Sequence, residues 1–346
     1  PWGFVEAVDR ICEALEPVYE AAARTGTFVN LDMEEYKDLA LTLEVFTRVL
    51  DEPRFADLRA GIVLQAYLPD SVAALERLHA WAARRVAAGG RPVKVRIVKG
   101  ANLSMERVDA EWHGWPLATW TSKEDTDAQY KRLLDAALRP EHTAHVAVGV
   151  AGHNLFDLAH AWLLASERGV AEHVDVEMLL GMAERLVPVI AEHTGPVRLY
   201  TPVVPPAEFD VAIAYLVRRL EEVANPANFL NSAARFDVDP DALSLEEQRF
   251  RDAMARAVRP APQVGRGAAV TTASGTFANQ PDTDPAVEHN RDWARAIAGR
   301  AADSALGKAT IAAAWLDDEA QAYEAVTRVA AAGDRWGAIP PADRAA

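Results

Sequence analysis

The chain has 346 residues, of which 50% are hydrophobic and 25% are charged, and its formal net charge is −15. These values are typical of a globular protein with a substantial core, and the acidic balance argues against nucleic acid as a partner, because nucleic acid selects clustered Lys and Arg. The single cysteine, Cys12, excludes an internal disulfide, and no apolar run reaches the roughly 18 residues of a membrane span, so we expect a cytoplasmic protein.

Short β-rich runs alternate with helical patterns between residues 27 and 224. The six predicted strands are 27–33, 61–68, 93–100, 145–151, 174–181 and 197–203. The predicted helices are 4–23, 36–50, 71–88, 126–138, 154–168, 182–193 and 209–224. Strict alternation of strand and helix predicts a parallel sheet and an α/β fold.

Polar side chains gather in the C-terminal half of each predicted strand or just after it. They are Asp32, Gln65, Arg96 with Lys99, His153, Glu177 and Tyr200. A β/α barrel binds ligands at that end of its strands, whereas an open doubly wound sheet binds them only near a switch point. The pattern therefore favours a (β/α)8 TIM-like barrel. Since six strands are found and one helix precedes them, we expect the first two strands of the barrel to lie upstream.

The strand signal fades after residue 225. The later predictions are an amphipathic helix at 243–257, a Pro/Gly-rich extended stretch at 259–275, a helix at 285–300 capped by Asp284, and an Ala-rich helical region at 301–334. We therefore divide the chain into a partial barrel (1–235), a helical connector (236–300) and a linker region (301–346).

Two adjacent arginines, Arg218 and Arg219, lie on the last barrel helix. Their side chains diverge by about 100° around the helix, so they share one anion only if it lies between them. Paired guanidinium groups suit a carboxylate, because their planar donors bind it in bidentate fashion. The ordinary alternative is a solvent-exposed ion pair between Arg218 and Glu222, four residues later. The spacing alone leaves both interpretations open.

The run 96–101 brings Arg96 and Lys99 to one strand end, followed by Gly100, which lets a ligand approach the backbone. The alternative is an ordinary βα loop with solvated charges. His153 is either a structural hydrogen-bonding group or a site residue. Asp32 either orients a base or caps the following helix, and capping is the commoner role.

Several kinds of site are not indicated. The nine histidines form no H-x-x-x-H pair and there is one thiol, so we predict no metal site. No Gly-rich dinucleotide or Walker-type fingerprint occurs, so any nucleotide must be held by dispersed loops.

Seven runs together resemble one known family in both content and order. They are 28–36 (FVNLDMEEY), 61–67 (GIVLQAY), 95–101 (VRIVKGA), 152–154 (GHN), 180–182 (LGM), 198–202 (RLYTP) and 215–219 (YLVRR). The chain thus resembles FAD-dependent proline dehydrogenases over about residues 5–235, and most of all the proline dehydrogenase domain of bifunctional proline utilization A enzymes. The runs 277–284 and 290–294 resemble that family's connector to an aldehyde dehydrogenase module. Residues 336–344 resemble the start of that module, which is then cut off.

The resemblance implies an activity and partners. L-proline would be oxidised to pyrroline-5-carboxylate by hydride transfer to flavin N5, with FAD as cofactor and a quinone as electron acceptor. It also implies an aldehyde dehydrogenase module in the same polypeptide and peripheral contact with the inner membrane. No nucleic acid partner is expected for this part of the chain.

The resemblance also implies roles for individual residues. At the substrate, Arg218 and Arg219 would clamp the carboxylate, Tyr200 and Leu179 would line the ring pocket, and Asp32 would support the site. At the cofactor, Arg96 would lie beside flavin N5. The other implied cofactor residues are Gln65, Lys99, Gly100, Thr121, Lys123, His153, Asn154, Arg219 and Glu222.

Two departures from the family are visible. The family carries a lysine in an Ile-Lys-Leu-Ser-like run on the strand before the one that bears Asp32, and this chain lacks such a run. Asn102 stands where a tyrosine often covers the substrate, which implies either a more open lid or a lid that is closed by another side chain.

Two other functions fit the residues less closely. One is a flavin-free β/α-barrel lyase that uses Lys99 as a Schiff base, which predicts borohydride trapping of substrate. The other is an inactive fragment that acts as an interaction module. Both predict a colourless protein that releases no flavin on heating.

Overall fold

A computed structural model describes residues 2–259, residue 266 and residues 281–344, apart from the side chains of residues 214, 221 and 222. The chain divides into two compact units, Pro1–Arg291 and Asp292–Ala346. Most of the predicted extended stretch 259–275 lies outside the described residues. No helix in the described part is both long and apolar enough to cross a membrane.

The first unit is built on six parallel strands whose order in the sheet is their order in the sequence. They are β1 (Val29–Leu31), β2 (Ala60–Gln65), β3 (Val93–Val98), β4 (Val146–Ala151), β5 (Val174–Leu179) and β6 (Arg198–Tyr200). Each pairs in parallel with the next, as a β/α crossover arrangement requires. The prediction of an α/β fold with a parallel sheet is confirmed.

The predicted strands extend two or three residues too far at most of their C-terminal ends. Gly100 and Gly181, after β3 and β5, have φ angles of 121° and 88°, which a regular strand does not contain. Pro202 follows β6 and has no N–H to donate to a ladder. The chain therefore leaves the sheet at these points and forms the βα loops.

Helices connect the strands and follow them. The helices of residues 2–259 are α1 (Phe4–Thr25), α2 (Tyr36–Leu50), α3 (Ser71–Ala87), α4 (Leu103–His113), α5 (Lys123–Ala137), α6 (Pro140–Thr143), α7 (Leu155–Glu167), α8 (Leu186–Thr194), α9 (Phe209–Ala224), α10 (Phe229–Ala233) and α11 (Pro240–Ala257). Every predicted helix in this part is present. The sequence analysis missed α4 and the short helices α6 and α10. Met105, Val108 and Trp112 of α4 have helical spacing, but they are largely exposed and do not pack in the core.

Helix starts were harder to predict than helix ends. Helix α5 begins three residues earlier than predicted, because the Ser122 hydroxyl accepts a hydrogen bond from the Asp125 backbone N–H. Helix α11 also begins three residues early, with Asp239 as its cap and Pro240 in the first turn. The apolar periodicity that guided the prediction starts only after the capping turn.

The last part of the described chain is helical. Its helices are α12 (Glu288–Ala301), α13 (Lys308–Ala314), α14 (Glu319–Ala338) and α15 (Pro341–Arg344). The predicted cap of α12 by Asp284 is wrong. Oδ1 of Asp284 accepts from the Ala286 N–H at 2.8 Å in a turn before the helix, while Oδ2 lies 3.3 Å from Arg266.

The two faces of the sheet differ because side chains alternate along each strand. One set, which includes Ile62, Val95, Ile97, Val148 and Val176, is buried in the hydrophobic core. Burying such a side chain stabilises the fold by about 1.5–3 kcal/mol. The opposite set carries the polar residues of β2, β3, β5 and β6.

Three histidines form a cluster within this core region. His79 on α3 is 4% exposed, and its ring is stacked on that of His142 with centroids 4.0 Å apart. The His145 ring lies at 5.9 Å. Neither His79 nitrogen has a hydrogen-bond partner among the described residues. Burial, together with the two neighbouring imidazoles, lowers the pKa of His79 to about 3.

This cluster predicts a loss of stability in mild acid. Because the unfolded chain takes up the His79 proton near pH 6.5 and the folded chain only near pH 3, stability should fall as the pH drops through that window. By pH 5, proton uptake by the unfolded chain at His79 should lower the free energy of unfolding by about 2 kcal/mol. Urea unfolding of His79→Phe should therefore show a shallower decline between pH 7 and 4.5 than the parent. The same change at the half-exposed His173 should leave the profile unaltered, and parallel profiles for His79→Phe and the parent would contradict the prediction.

Candidate functional site

Arg96 on β3 lies at the centre of the C-terminal end of the sheet. Its Nε donates to Oε2 of Glu177 on β5 at 2.6 Å, and its Nη1 donates to Oδ1 of Asp32, just after β1, at 2.7 Å. Its guanidinium lies 4.9 Å from the centroid of the Tyr200 ring on β6. The structure thus brings together Asp32, Arg96 and Tyr200, three of the residues to which the resemblance assigns a role at the site.

The charges in this group are coupled. Although burial acts against its charge, the carboxylates of Glu177 and Asp32 raise the pKa of Arg96. The guanidinium therefore stays protonated. Partial burial raises the pKa of Asp32, against the opposing effects of Arg96 and of a hydrogen bond from Asn30.

The interpretation of Asp32 as a helix cap is wrong. Helix α2 has Glu35 at its N-cap position and no side-chain cap from that residue. The first N–H, that of Tyr36, instead donates to Oε1 of Glu106 on α4 at 2.6 Å. A carboxylate 70 residues away therefore caps the helix, and Asp32 stays with Arg96.

Two further residues complete this group: Glu177, which the sequence analysis noted at a strand end without assigning it a role, and Lys94, which it did not name. Glu177 is 1% exposed and also contacts Nζ of Lys94, which is bonded to Asp175 as well. Although burial opposes it, the hydrogen bond and charge of Lys94 lower the pKa of Asp175. The sequence did contain a signal for Lys94 and Glu177. Lys94 is two residues from Arg96, and Asp175 is two residues from Glu177, so each pair shares one face of its strand.

Lys99 lies in a separate ionic cluster between α5 and α7. Its Nζ contacts Asp127 and lies 2.7 Å from Oδ2 of Asp157, which also pairs with Lys131 at 2.8 Å. Although burial acts the other way in each case, these pairings raise the pKa of Lys99 and lower that of Asp157 to about 2. Lys123 contacts Asp127 from the first turn of α5.

The loop after β3 approaches its neighbours closely. Gly100 has a positive φ, and a Cβ there would lie 2.5 Å from the Tyr67 ring. The predicted role of Gly100, to let a ligand approach the backbone, is untested, but this tyrosine alone requires a glycine. Thr121, just before α5, is exposed.

His153 and Asn154 follow β4 and open α7. Nε2 of His153 accepts from the Leu179 N–H at 3.2 Å, and burial lowers the pKa of His153. The ring is thus neutral near pH 7 and carries its proton on Nδ1, where it can donate to a ligand. Oδ1 of Asn154 caps α7 by accepting from Phe156 and Asp157. Leu179 itself is 8% exposed.

The arginine pair on α9 lies beside the same strand ends. The guanidinium of Arg219 lies 4.9 Å from the Tyr215 ring, and its charge affects the pKa of both His153 and Tyr200. Nη2 of Arg218 lies 3.6 Å from Oε1 of Glu34, in the loop after β1. The side chain of Glu222 lies outside the described residues, so its predicted role is untested.

The loop that carries Glu34 is also held by Asn102. Nδ2 of Asn102 donates to the Glu34 backbone oxygen at 3.2 Å, and the Tyr67 hydroxyl donates to the same oxygen at 2.9 Å. Asn102 is 4% exposed and precedes α4. It therefore ties the β3 loop to the β1 loop near Arg218.

Several buried polar atoms have no hydrogen-bond partner among the described residues. Two of them, in this region, are Oε1 of Gln65 and Nε1 of Trp120. The Gln65 amide is fixed at its other end, because Nε2 donates to the Met33 backbone oxygen. Buried groups of this kind are commonly completed by a ligand or by water. Within the described ranges, no group of three or more His, Cys, Asp or Glu side chains is arranged to hold a metal ion.

Comparisons with known proteins agree with this geometry. The family described as "Proline dehydrogenase" matches residues 5–232. "Bifunctional protein PutA" of Escherichia coli (strain K12) is 28% identical over 252 residues, which are 68% of this chain and 18% of that protein. "Proline dehydrogenase" of Deinococcus radiodurans is 29% identical over 212 residues, 60% of this chain and 58% of that protein.

The solved structures extend the likeness to the fold. Proline utilization A from Corynebacterium freiburgense superposes with a TM-score of 0.75 at 46% identity, over 86% of this chain and 28% of that one. The protein from Bdellovibrio bacteriovorus gives a TM-score of 0.73 at 32% identity, over 87% and 30%. The six parallel strands are thus a curled part of a TIM-like barrel.

This chain spans less than a fifth of the Escherichia coli relative and less than a third of either solved chain. The match to the family itself nonetheless covers well over half of the sequence. The chain therefore belongs to the proline dehydrogenase family.

Proposed function

We propose that this chain oxidises L-proline to pyrroline-5-carboxylate, with FAD as the hydride acceptor. The observation that carries the proposal is the position of Arg96, held by Asp32 and Glu177 beside the Tyr200 ring. A fixed cation at the strand ends stabilises negative charge that develops on a bound acceptor. Family membership supplies the substrate and the reaction class.

Arg218 and Arg219 would bind the carboxylate of proline. The contact of Arg218 with Glu34, at 3.6 Å between half-exposed side chains, is loose enough to exchange for a substrate carboxylate. Arg219 lies near Tyr200 and His153, so an anion held there would be next to Arg96. Tyr200 and Leu179 would pack against the ring of the substrate, and Asn102 would hold the Glu34 loop.

The residues present fit FAD. The buried Oε1 of Gln65 suits the N–H of a flavin pyrimidine edge, and Nδ1–H of His153 suits a ribityl or phosphate oxygen. The further residues that would hold the cofactor are Arg96, Lys99, Gly100, Thr121, Lys123, Asn154, Arg219 and Glu222. When bound, FAD supplies the hydride acceptor, and the protein supplies orientation and charge.

The task of the protein is to orient the substrate and to control its proton. A carboxylate clamped by two arginines leaves the α-hydrogen with few orientations, which lowers the entropic part of the barrier. The ring amine must be neutral before hydride leaves, so the rate should rise with pH until the bound amine is deprotonated. Asp32 would help by keeping Arg96 in place.

The wider setting is also a proposal. Relatives are named as bifunctional, which supports an aldehyde dehydrogenase module in the same polypeptide. We place the chain in the cytoplasm, with a quinone as electron acceptor and peripheral contact with the inner membrane, and without nucleic acid as partner. The domain division is 1–235 for the barrel, 236–300 for the connector, and 301–346 for the linker and the start of the second module.

The lyase alternative is weakened by the surroundings of Lys99. A Schiff-base lysine must lose its proton to attack a carbonyl, and this requires a lowered pKa. Asp127 and Asp157 instead raise the pKa of Lys99 and hold its ammonium. An interaction module without activity would not need a buried guanidinium held by carboxylates from two other strands.

The visible spectrum of the purified protein tests the proposal. We expect flavin absorbance that is bleached when L-proline is added without oxygen, because hydride transfer reduces the bound cofactor. D-proline serves as the control, since its carboxylate and α-hydrogen do not fit the same clamp together. A colourless protein, or a flavin band unchanged by L-proline, would sink the assignment.

The arginine clamp makes a separate prediction. Arg218→Ala should raise KM for proline by about 10- to 100-fold, as expected when a charge-assisted hydrogen bond is lost, while most of the flavin is retained. Arg219→Ala should weaken proline binding as well but also release flavin, since it lies nearer His153. Arg235→Ala, an exposed arginine paired with Asp239, is the matched control. Unchanged KM in both clamp variants would mean that proline binds elsewhere.

A further inference from the structure

Glu177 connects the Arg96 group to a second buried cation. Oε2 of Glu177 accepts from Nε of Arg96, and Oε1 contacts Nζ of Lys94. The Glu177 side chain is 1% exposed and that of Lys94 is 8% exposed. One carboxylate thus bridges two cations inside the sheet, and neither contact is screened by bulk water.

This bridge requires a glycine on the strand between. Lys94 and Arg96 are on β3 and Glu177 is on β5, so their side chains must cross β4 above Gly149. A Cβ at Gly149 would lie 2.5 Å from Oε1 of Glu177 and 2.8 Å from Cε of Lys94. The backbone of β4 leaves a gap that this ion pair fills.

We propose that Glu177 and Lys94 are positioning residues for Arg96 and together set the charge at the site. Glu177 fixes the guanidinium through Nε, which leaves the Nη nitrogens directed to Asp32 and to a ligand. Lys94 offsets the charge of Glu177, so that the positive charge of Arg96 is not cancelled. This role deepens the proposed function, on which it rests.

Counting the buried charges supports this role. Arg96 and Lys94 contribute two positive charges and Glu177 one negative charge, which leaves a net charge of +1 beside the strand ends. The other carboxylates, Asp32 and Asp175, pair with Arg96 and Lys94, but their side chains are 63% and 44% exposed, so solvent weakens their effect on the buried charge. Without Lys94, the net charge of the buried side chains would be zero, and Arg96 would no longer give the site a net positive charge.

The flavin reduction potential tests this charge balance. Reduction adds negative charge to the flavin, so Glu177→Gln, which makes the site more positive, should raise the potential, and Lys94→Met should lower it. Each should change the reduction equilibrium constant about tenfold, which is about 30 mV for a two-electron couple. The double variant should return close to the parent value. Shifts of the same sign in both single variants, or no shift in either, would overturn the proposal.

A measurement that does not need the flavin separates this proposal from the proposed function. The measurement is urea unfolding of the purified protein. Each single variant should raise the unfolding equilibrium constant by about a hundredfold, because it leaves a buried charge poorly compensated. The double variant should raise that constant by much less than the product of the two single effects. The exposed pair Glu247–Arg251 is the matched control and should show little coupling. Additive effects for Lys94 and Glu177 would contradict the bridge even if proline reduces the flavin. Strong coupling in a flavin-free protein would refute only the proposed function.

Gly149→Ala offers an independent check on the geometry. The added methyl group would displace the Glu177 carboxylate from Lys94 and Arg96, whereas Gly299→Ala places its methyl group in open space at an ordinary backbone conformation and serves as the control. We expect Gly149→Ala to raise the flavin potential, as Glu177→Gln does, and to abolish the unfolding coupling between Lys94 and Glu177. Retention of both properties would show that the pair does not depend on the gap in β4.

Discussion

The site depends on one buried guanidinium. Arg96 is held from two sides by carboxylates, and Tyr200 covers its face, so its position and its protonation are both fixed. A buried cation is tolerated only where such partners surround it, because removing it from water is costly. The neighbouring strands must therefore place the partner side chains at the same level of the sheet as Arg96.

The parallel sheet provides this arrangement. Side chains two residues apart share a face, so the face opposite the core can carry Lys94 and Arg96 on β3 and Asp175 and Glu177 on β5. The strand between them contributes Gly149, whose lack of a side chain lets the ions meet across it. The apolar face supplies stability and the polar face supplies charge, and neither interferes with the other.

Most of the fold could be predicted from the sequence. Six strands and the helices between them have a clear periodicity, and a β/α alternation permits few topologies. The errors arose where the local pattern is weak. Helix α2 is capped by Glu106 from far along the chain, and Asp284 closes a turn because Arg266 holds its other oxygen. Contacts between residues that are far apart in the chain do not appear in the periodicity of the sequence.

The sequence by itself determined the six strands and their parallel arrangement, the strand ends that carry polar residues, and the family to which those residues point. These features are local, since they depend on periodicity and on short runs of residues. Only the tertiary structure decided which charges pair: Lys99 with Asp127 and Asp157, Arg96 with Asp32 and Glu177, and Lys94 with Glu177. Ion pairing depends on distance in space and on burial, and residues 81 positions apart in the chain meet only after the strands have been placed side by side.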